Sequence, residues 1–241
     1  MNIVLVGECG TGKSSLINLI IGQDVAKTSN DTAACTTELR PYKVSIDGCN
    51  LKLWDTPGLD VGSTARAHTR SSEALIKLLQ WLEENQGGVH LLIYCMHGNR
   101  AKAAFLKHYD TIHDFLPPAV PVVAIITRLE RYQNRMEDWW SNNAQELASH
   151  GMHFADHACV TTVPNCHGLP ASFRERLICS QRAVRDLIYR NCTSQLPQSR
   201  GKFPATAIPN PAIRGQKVRV ASNVLREQRV TQERVYGHEG F

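Results

Sequence analysis

Residues 2–20, NIVLVGECGTGKSSLINLI, decide the fold. "NIVLV" is apolar and β-branched, the pattern of a strand buried on both faces. "KSSLINLIIG" repeats its apolar residues at helical spacing and stops at a glycine. Between them, Gly7, Gly12, Lys13 and Ser14 meet the pattern G-x-x-x-x-G-K-[ST], the phosphate-binding loop, in the strand–loop–helix setting that the pattern requires. Gly7, Gly10 and Gly12 let the backbone curl into a concave nest of N–H donors. The helix that starts near Lys13 aims its positive end into that nest.

The roles follow from that geometry. Gly7 and Cys9 count among the phosphate-binding residues of the loop, and the N–H groups of Gly10, Thr11, Gly12, Lys13 and Ser14 are expected to hold the α- and β-phosphates of a nucleotide. The Lys13 ammonium reaches the β- and γ-phosphates. The Ser14 hydroxyl is placed to ligate Mg2+, with Ser15 near the α-phosphate.

Beyond this stretch, strands and helices alternate. "LRPYKVSIDG" and "CNLKLWD" read as a hairpin turning at "DGC". A helix is expected from Ser71 to Glu84, a strand at "VHLLIYCM", a helix at "AKAAFLKHYDTIHDFL" and a strand at "VPVVAIIT". "MEDWWSNNAQELASHG" reads as a helix, "HACVTTV" as the last strand and "SFRERLICSQRAVRDLIYR" as the last helix. The expected fold class is α/β: a single P-loop NTPase domain, its sheet mostly parallel with one antiparallel edge strand, and helices on both faces. Ligands of such sheets sit beyond the carboxyl ends of the strands.

Three further stretches fall at such ends or lead into the hairpin. "LWDTPGLD" sends Asp55 out of an apolar strand, where it can hold magnesium through a water, and the N–H of Gly58 can meet a γ-phosphate. Asp55 follows Lys13 closely, which favours a GTPase-type switch over an ATPase. "AACTTEL" offers Thr36 and Thr37 as the switch threonine that ligates Mg2+, and Thr37 is preferred because it leads directly into "ELR". In "AIITRLE", Thr127, Arg128 and Glu130 stand where a guanine-reading box carries Asn-Lys-x-Asp. Arg128 can stack on the base. Glu130 carries its carboxylate one methylene farther out, and Thr127 lacks the asparagine amide. Thr161 and Thr162 are candidates for the last base-side loop. Catalysis would rest on Lys13, Thr37 and Gly58.

Taken together, GECGTGKSS, CTTE, DTPG and TRLE resemble the septin-like and immunity-associated (AIG-type) branch of the P-loop GTPases, which tolerates Thr-Arg-x-Asp/Glu in the guanine box. "VHLLIYCMHGNR" and "MEDWW" resemble the "G domain-containing" P-loop proteins of mushroom-forming fungi. The resemblance spans about residues 1–190 and implies GTP/GDP and Mg2+ as ligands, and a homodimer across the nucleotide face as a candidate assembly. Two positions depart from the pattern of small regulatory GTPases. Leu59 stands where a glutamine commonly orients the attacking water, and Cys9 adds bulk near the γ-phosphate. Slow hydrolysis is therefore expected. The competing readings are a non-hydrolysing assembly module and, more remotely, an ATPase or small-molecule kinase.

Charge divides the chain. From Pro197 onward, eight Lys/Arg face three Asp/Glu, whereas residues 1–196 hold 19 of each. Nothing in the main domain argues for a nucleic-acid surface. Residues 1–190 are expected to form the G domain, and 191–241 a proline-containing linker and a basic, largely disordered tail. That tail is a candidate for weak contact with an anionic membrane surface. No run is long and apolar enough to span a bilayer, and the strand at the start leaves no room for a signal peptide. A cytoplasmic location is therefore expected. The eight cysteines form no C-x-x-C pair and are expected as free thiols. His153, His157, Cys159, Cys166 and His167 gather in one stretch, but at no common zinc spacing.

Overall fold

The computed structural model describes residues 1–28, 36, 38–46, 48–59, 65–85, 88–98, 108–164 and 168–193, with residues 65–72 as helix backbone only. The chain divides into two units, Met1–Leu196 and Pro197–Phe241. Of the linker and tail expected over 191–241, residues 191–193 form the end of the last helix, and the rest lies outside the described residues.

Six strands form one sheet: β1 Asn2–Gly7, β2 Arg40–Ile46, β3 Cys49–Asp55, β4 Val89–His97, β5 Val122–Thr127 and β6 Asp156–Cys159, in the order β2-β3-β1-β4-β5-β6. Every pairing is parallel except β2 with β3, so the hairpin supplies one antiparallel edge. Five helices are described: α1 Lys13–Ile21, α2 Ala65–Glu84, α3 Tyr109–Phe115, α4 Asp138–Ser149 and α5 Ala171–Thr193. This is the α/β fold expected from the sequence.

Alternation along the strands sends successive side chains to opposite faces. Ile3, Leu5, Ile93 and Ile125 join Leu16, Ile17 and Ile20 of α1 and Val184 and Leu187 of α5 in one core, all fully buried. Val4, Val6, Leu92 and Met96 alternate with that set and are buried too, as are Leu75, Leu78 and Leu82 of α2, Ile112 and Phe115 of α3, and Trp139 of α4. α5 also fastens α1: Gln181 donates to the Leu19 carbonyl, and Arg185 donates twice to the Ile20 carbonyl. These carbonyls belong to the last turn of α1, where no intrahelical partner remains.

The register brings the candidate loops to one edge. Leu5 lies opposite Asp55 on one side and Ile93 on the other, and His97 lies opposite Thr127. The exits of β3, β1 and β5 therefore share one edge of the sheet, each stepped about two residues beyond the last.

Three boundaries differ from expectation. α2 starts at Ala65 rather than Ser71; "ARAHTR" holds no glycine or proline, so the helix extends back through it. β6 ends at Cys159 rather than near Val163. Val160 still donates to Ile126, but the next amide, Thr161, turns away from β5 and donates to the Ser180 hydroxyl on α5. The helix expected over 101–116 is described only from Tyr109, since 101–107 lie outside the described residues.

The free-thiol expectation is corrected at one position. Cys9 is disulfide-bonded. Cys49, Cys95, Cys159, Cys179 and Cys192 are free. Burial pushes the Cys95 and Cys159 thiols up to about 12, which makes them inert packing groups.

Candidate functional site

The loop after β1 is shaped by close approach. Gly7 has φ +146°, and a Cβ there would lie 2.4 Å from the Cys95 carbonyl oxygen of β4. Gly12 caps α1 in the left-handed region, at φ +84°. Lys13 is buried, and its ammonium donates to the carbonyls of Gly7 and Glu8, both at 2.9 Å. The cation thus sits over the loop's own backbone. Thr11 is fully buried and donates its hydroxyl to the Glu8 carbonyl, which fixes the turn.

β3 delivers Asp55 beside this loop. Ser14 donates to Asp55 Oδ2 at 2.6 Å, and Thr36 donates to the same oxygen at 3.3 Å. The preferred threonine, Thr37, lies outside the described residues; Thr36 is the threonine that the structure brings to Ser14 and Asp55. Asp55 is 2% exposed, and its Oδ1 has no hydrogen-bond partner among the described residues. Burial raises the Asp55 carboxyl, while Ser14, the Lys13 charge and Thr36 oppose that rise. A buried carboxylate oxygen with an unfilled lone pair, flanked by two hydroxyls, is a hard-oxygen donor set.

The segment after Asp55 presses onto the phosphate-binding loop. Thr56 donates to Leu5, and the Leu59 amide donates to Gly7. A Cβ on Gly58 would lie 2.6 Å from Cys9 Cα, so backbone lies on backbone. The Leu59 side chain is 1% exposed and packs into the core. It therefore presents nothing to the site. Arg66, His68 and Arg70, local candidates for a catalytic group, lie on α2 where only the backbone is described.

At the end of β5, Thr127 is fully buried. Its hydroxyl donates to the Thr11 carbonyl at 2.7 Å and lies 3.2 Å from the Met96 carbonyl. Thr127 thus ties the base-side loop to the phosphate loop rather than facing outward. Arg128 follows at φ +62°, the one non-glycine residue with positive φ among those described, and its side chain is exposed. Leu129 turns inward against Gly98. The left-handed residue thus throws Arg128 outward and Leu129 inward. Glu130 accepts from the Thr161 hydroxyl at 3.2 Å. Thr162 stands close to Gly12, 3.3 Å from where a Cβ there would be. Residues from four loops therefore meet in one region.

Arg176 and Ser180 were not singled out in the sequence. They lie on α5 and bond the loops after β5 and β6. Their i, i+4 spacing, which places both on one helix face, was the available signal. His153, His157 and Cys159 form no metal set: Tyr109 bonds the backbone of His153, His157 stacks on Trp140 and pairs with Glu137, and Cys159 is core. A surface cavity lined by Met1, Asn2, Lys43 and Asn50 lies at the opposite end of β1, remote from these loops.

A P-loop, an aspartate at the end of the neighbouring parallel strand and a carboxylate loop after β5 define a P-loop GTPase G domain. The model of the 50S ribosome-binding GTPase family matches residues 2–127, just over half of the chain, and the chain belongs to that family. Among curated relatives, the tRNA modification GTPase MnmE of Chromobacterium violaceum is 26% identical over 134 residues, which cover 54% of this chain and 26% of MnmE. The immune-associated nucleotide-binding protein 3 of Arabidopsis thaliana is 33% identical over 94 residues, 38% of this chain and 26% of that protein. The chloroplast translocase 34 homolog of Chlamydomonas reinhardtii is 35% identical over 104 residues, 39% of this chain and 25% of that one. The chain thus spans about a quarter of the length of these relatives. Among solved structures, Toc33 of Arabidopsis thaliana with GDP and Mg2+ superposes with a TM-score of 0.59 at 17% identity, over 81% of this chain and 85% of Toc33. Era of Aquifex aeolicus, bound to GDP and AlF4-, does so with a TM-score of 0.54 at 16% identity, over 84% of this chain and 59% of Era. At these identities the structures speak for the fold alone.

Proposed function

We propose that this protein is a guanine-nucleotide switch that binds GTP and GDP with Mg2+ and hydrolyses GTP slowly. The observation that carries the reading is the meeting of Lys13, the Ser14–Thr36–Asp55 cluster, Gly58 and the Glu130–Thr161 pair at one edge of the sheet. Lys13 and the loop N–H groups bind the phosphates, and Gly58 offers its amide to the γ-phosphate. Glu130 accepts from the ring-edge donors of guanine, while Arg128 covers the base. The orphaned Asp55 Oδ1, with Ser14 and Thr36 beside it, fits magnesium; these residues would hold the ion, which would supply charge neutralisation to a bound triphosphate. Toc33 in complex with GDP and Mg2+ has the same fold and supports that choice of ligands.

Slow turnover follows from Leu59. Its burial leaves no side chain at that position to orient water. The same fact favours a second reading, a nucleotide-dependent assembly module that does not hydrolyse. For the chloroplast translocon components atToc33 and psToc159, dimerization is important for GTPase activity. A homodimer across the nucleotide face is accordingly part of the proposal, with a cytoplasmic location.

Titration with GDP and ADP, followed by single-turnover phosphate release over a range of protein concentrations, tests these points. Preference for GDP with slow release that climbs with concentration supports a switch completed by a second copy. Binding with no release supports the assembly module. Equal affinity for ADP would sink the guanine reading and revive an ATPase or kinase.

A further inference from the structure

We infer that Arg176 on α5 is a positioning residue for base recognition, holding the 128–134 loop so that Glu130 faces the edge of the bound base. The inference rests on the guanine-nucleotide reading above. Arg176 Nη1 donates to the carbonyls of Leu129 at 2.9 Å and Glu130 at 3.1 Å, and Nη2 donates to Asn134 at 3.3 Å. One guanidinium thus gathers three carbonyls from both arms of a turn. Arginine suits this task because its donors are fixed in a planar fork; a lysine ammonium meets such an array one contact at a time.

The brace closes on itself one helical turn later. Ser180, 1% exposed, donates to the Arg176 carbonyl at 2.7 Å and accepts from the Thr161 amide at 3.0 Å. The Thr161 hydroxyl then donates to Glu130 Oε2. Glu130 is thereby held twice, by its backbone through Arg176 and by its carboxylate through Thr161 and Ser180. Because Arg176 takes peptide carbonyls and not the carboxylate, the reading group is oriented without being neutralised.

The loop needs such a hold. Arg128, in the left-handed region, carries a conformational cost that neighbouring contacts must offset. α5 is also the helix that fastens the last turn of α1 through Gln181 and Arg185. The same element therefore indexes the base loop to the phosphate-binding helix and sets the distance that a nucleotide must span.

The test compares the full chain with Arg176→Ala, Arg176→Lys and, as a control, Arg174→Ala. Two quantities are read: the ratio of ADP to GDP dissociation constants by calorimetry, and amide hydrogen exchange over residues 128–134. Arg176→Ala should lower the ratio on the order of tenfold by weakening GDP alone, and should speed exchange in the loop. Arg176→Lys should fall between it and wild type, and Arg174→Ala should match wild type. A structural role alone would weaken both nucleotides alike and leave the ratio unmoved, which overturns the inference. Unchanged loop exchange in Arg176→Ala overturns it as well. Should Arg176→Ala not fold, a wild-type ratio in Arg176→Lys has the same force. A wild-type ratio near one is a separate failure: it defeats the guanine reading, and the specificity role with it, before any variant is compared.

Discussion

The phosphate end and the base end of the site are built by different means. At the phosphate end, backbone meets backbone. Gly7 stands against the Cys95 carbonyl and Gly58 against Cys9, at distances that exclude a Cβ. At the base end, side chains do the holding. Thr127 reaches Thr11, Thr161 reaches Glu130, and Arg176 reaches three carbonyls from 42 to 47 residues away. A contact made by the absence of a side chain tolerates no replacement, so it is written as glycine at fixed spacing. A contact made by a long side chain can be supplied from any neighbouring element, so it leaves no local pattern. The phosphate end should therefore fail abruptly when altered, and the base end by degrees.

The largest effect is expected at Lys13. Lys13→Ala removes a charge-assisted donor from the phosphate nest and should weaken triphosphate binding at least about a hundredfold. Lys27→Ala, on an exposed lysine after α1, should change nothing. Equal affinities in calorimetry would break the comparison at its stronger end.

Leu59 comes next, at the position where a glutamine commonly orients the attacking water. Because Leu59 is 1% exposed, Leu59→Gln instead buries an amide and should cost about 2 kcal/mol of stability, with no gain in turnover. Denaturant unfolding and a phosphate-release assay read the two halves. A rise in turnover at unchanged stability would show that the loop turns over when nucleotide binds.

At the base end, Glu130→Ala should weaken GDP about tenfold and leave ADP nearly unaffected. A fall in both would mean that the carboxylate holds the loop rather than reading the base. Thr127→Val, nearly isosteric, leaves the Thr11 carbonyl without the Thr127 donor and should cost about 1 kcal/mol, read by chemical denaturation. No loss of stability would show that the tie between the two ends is idle.

The smallest effect concerns Asp156, at the start of β6 and away from the loops. Burial opposes its ionisation, but Arg190, the His157 amide and Asn191 outweigh burial and hold its carboxyl below the usual range. A lowered folded-state value means that its stabilisation is complete above the unfolded value, near 3.9, and is lost as pH falls through the folded one. Since the Arg190 side chain is 56% exposed, the contribution should stay below about 1 kcal/mol. Wild type and Asp156→Asn should differ in stability at pH 6 and converge toward pH 2; a constant gap would remove the ion pair from the account.

The sequence by itself determined the strand–loop–helix at residues 2–20, the alternation that makes a mostly parallel sheet, the hairpin at its edge, and the order in which Lys13, Ser14, Asp55 and Glu130 arrive at the strand ends. These follow from steric limits and hydrophobic period, which act over a few residues and leave a local trace. Only the tertiary structure decided that Thr36 joins Ser14 and Asp55, that Leu59 points into the core, that Thr127 is a tie between loops, and that Cys9 is disulfide-bonded. It also decided that α5, the last helix described, holds both base-side loops. Each of those outcomes depends on which groups lie within about 3 Å after the chain has packed. Neighbours in space that are distant in sequence share no periodicity, so no local pattern in the chain could announce them.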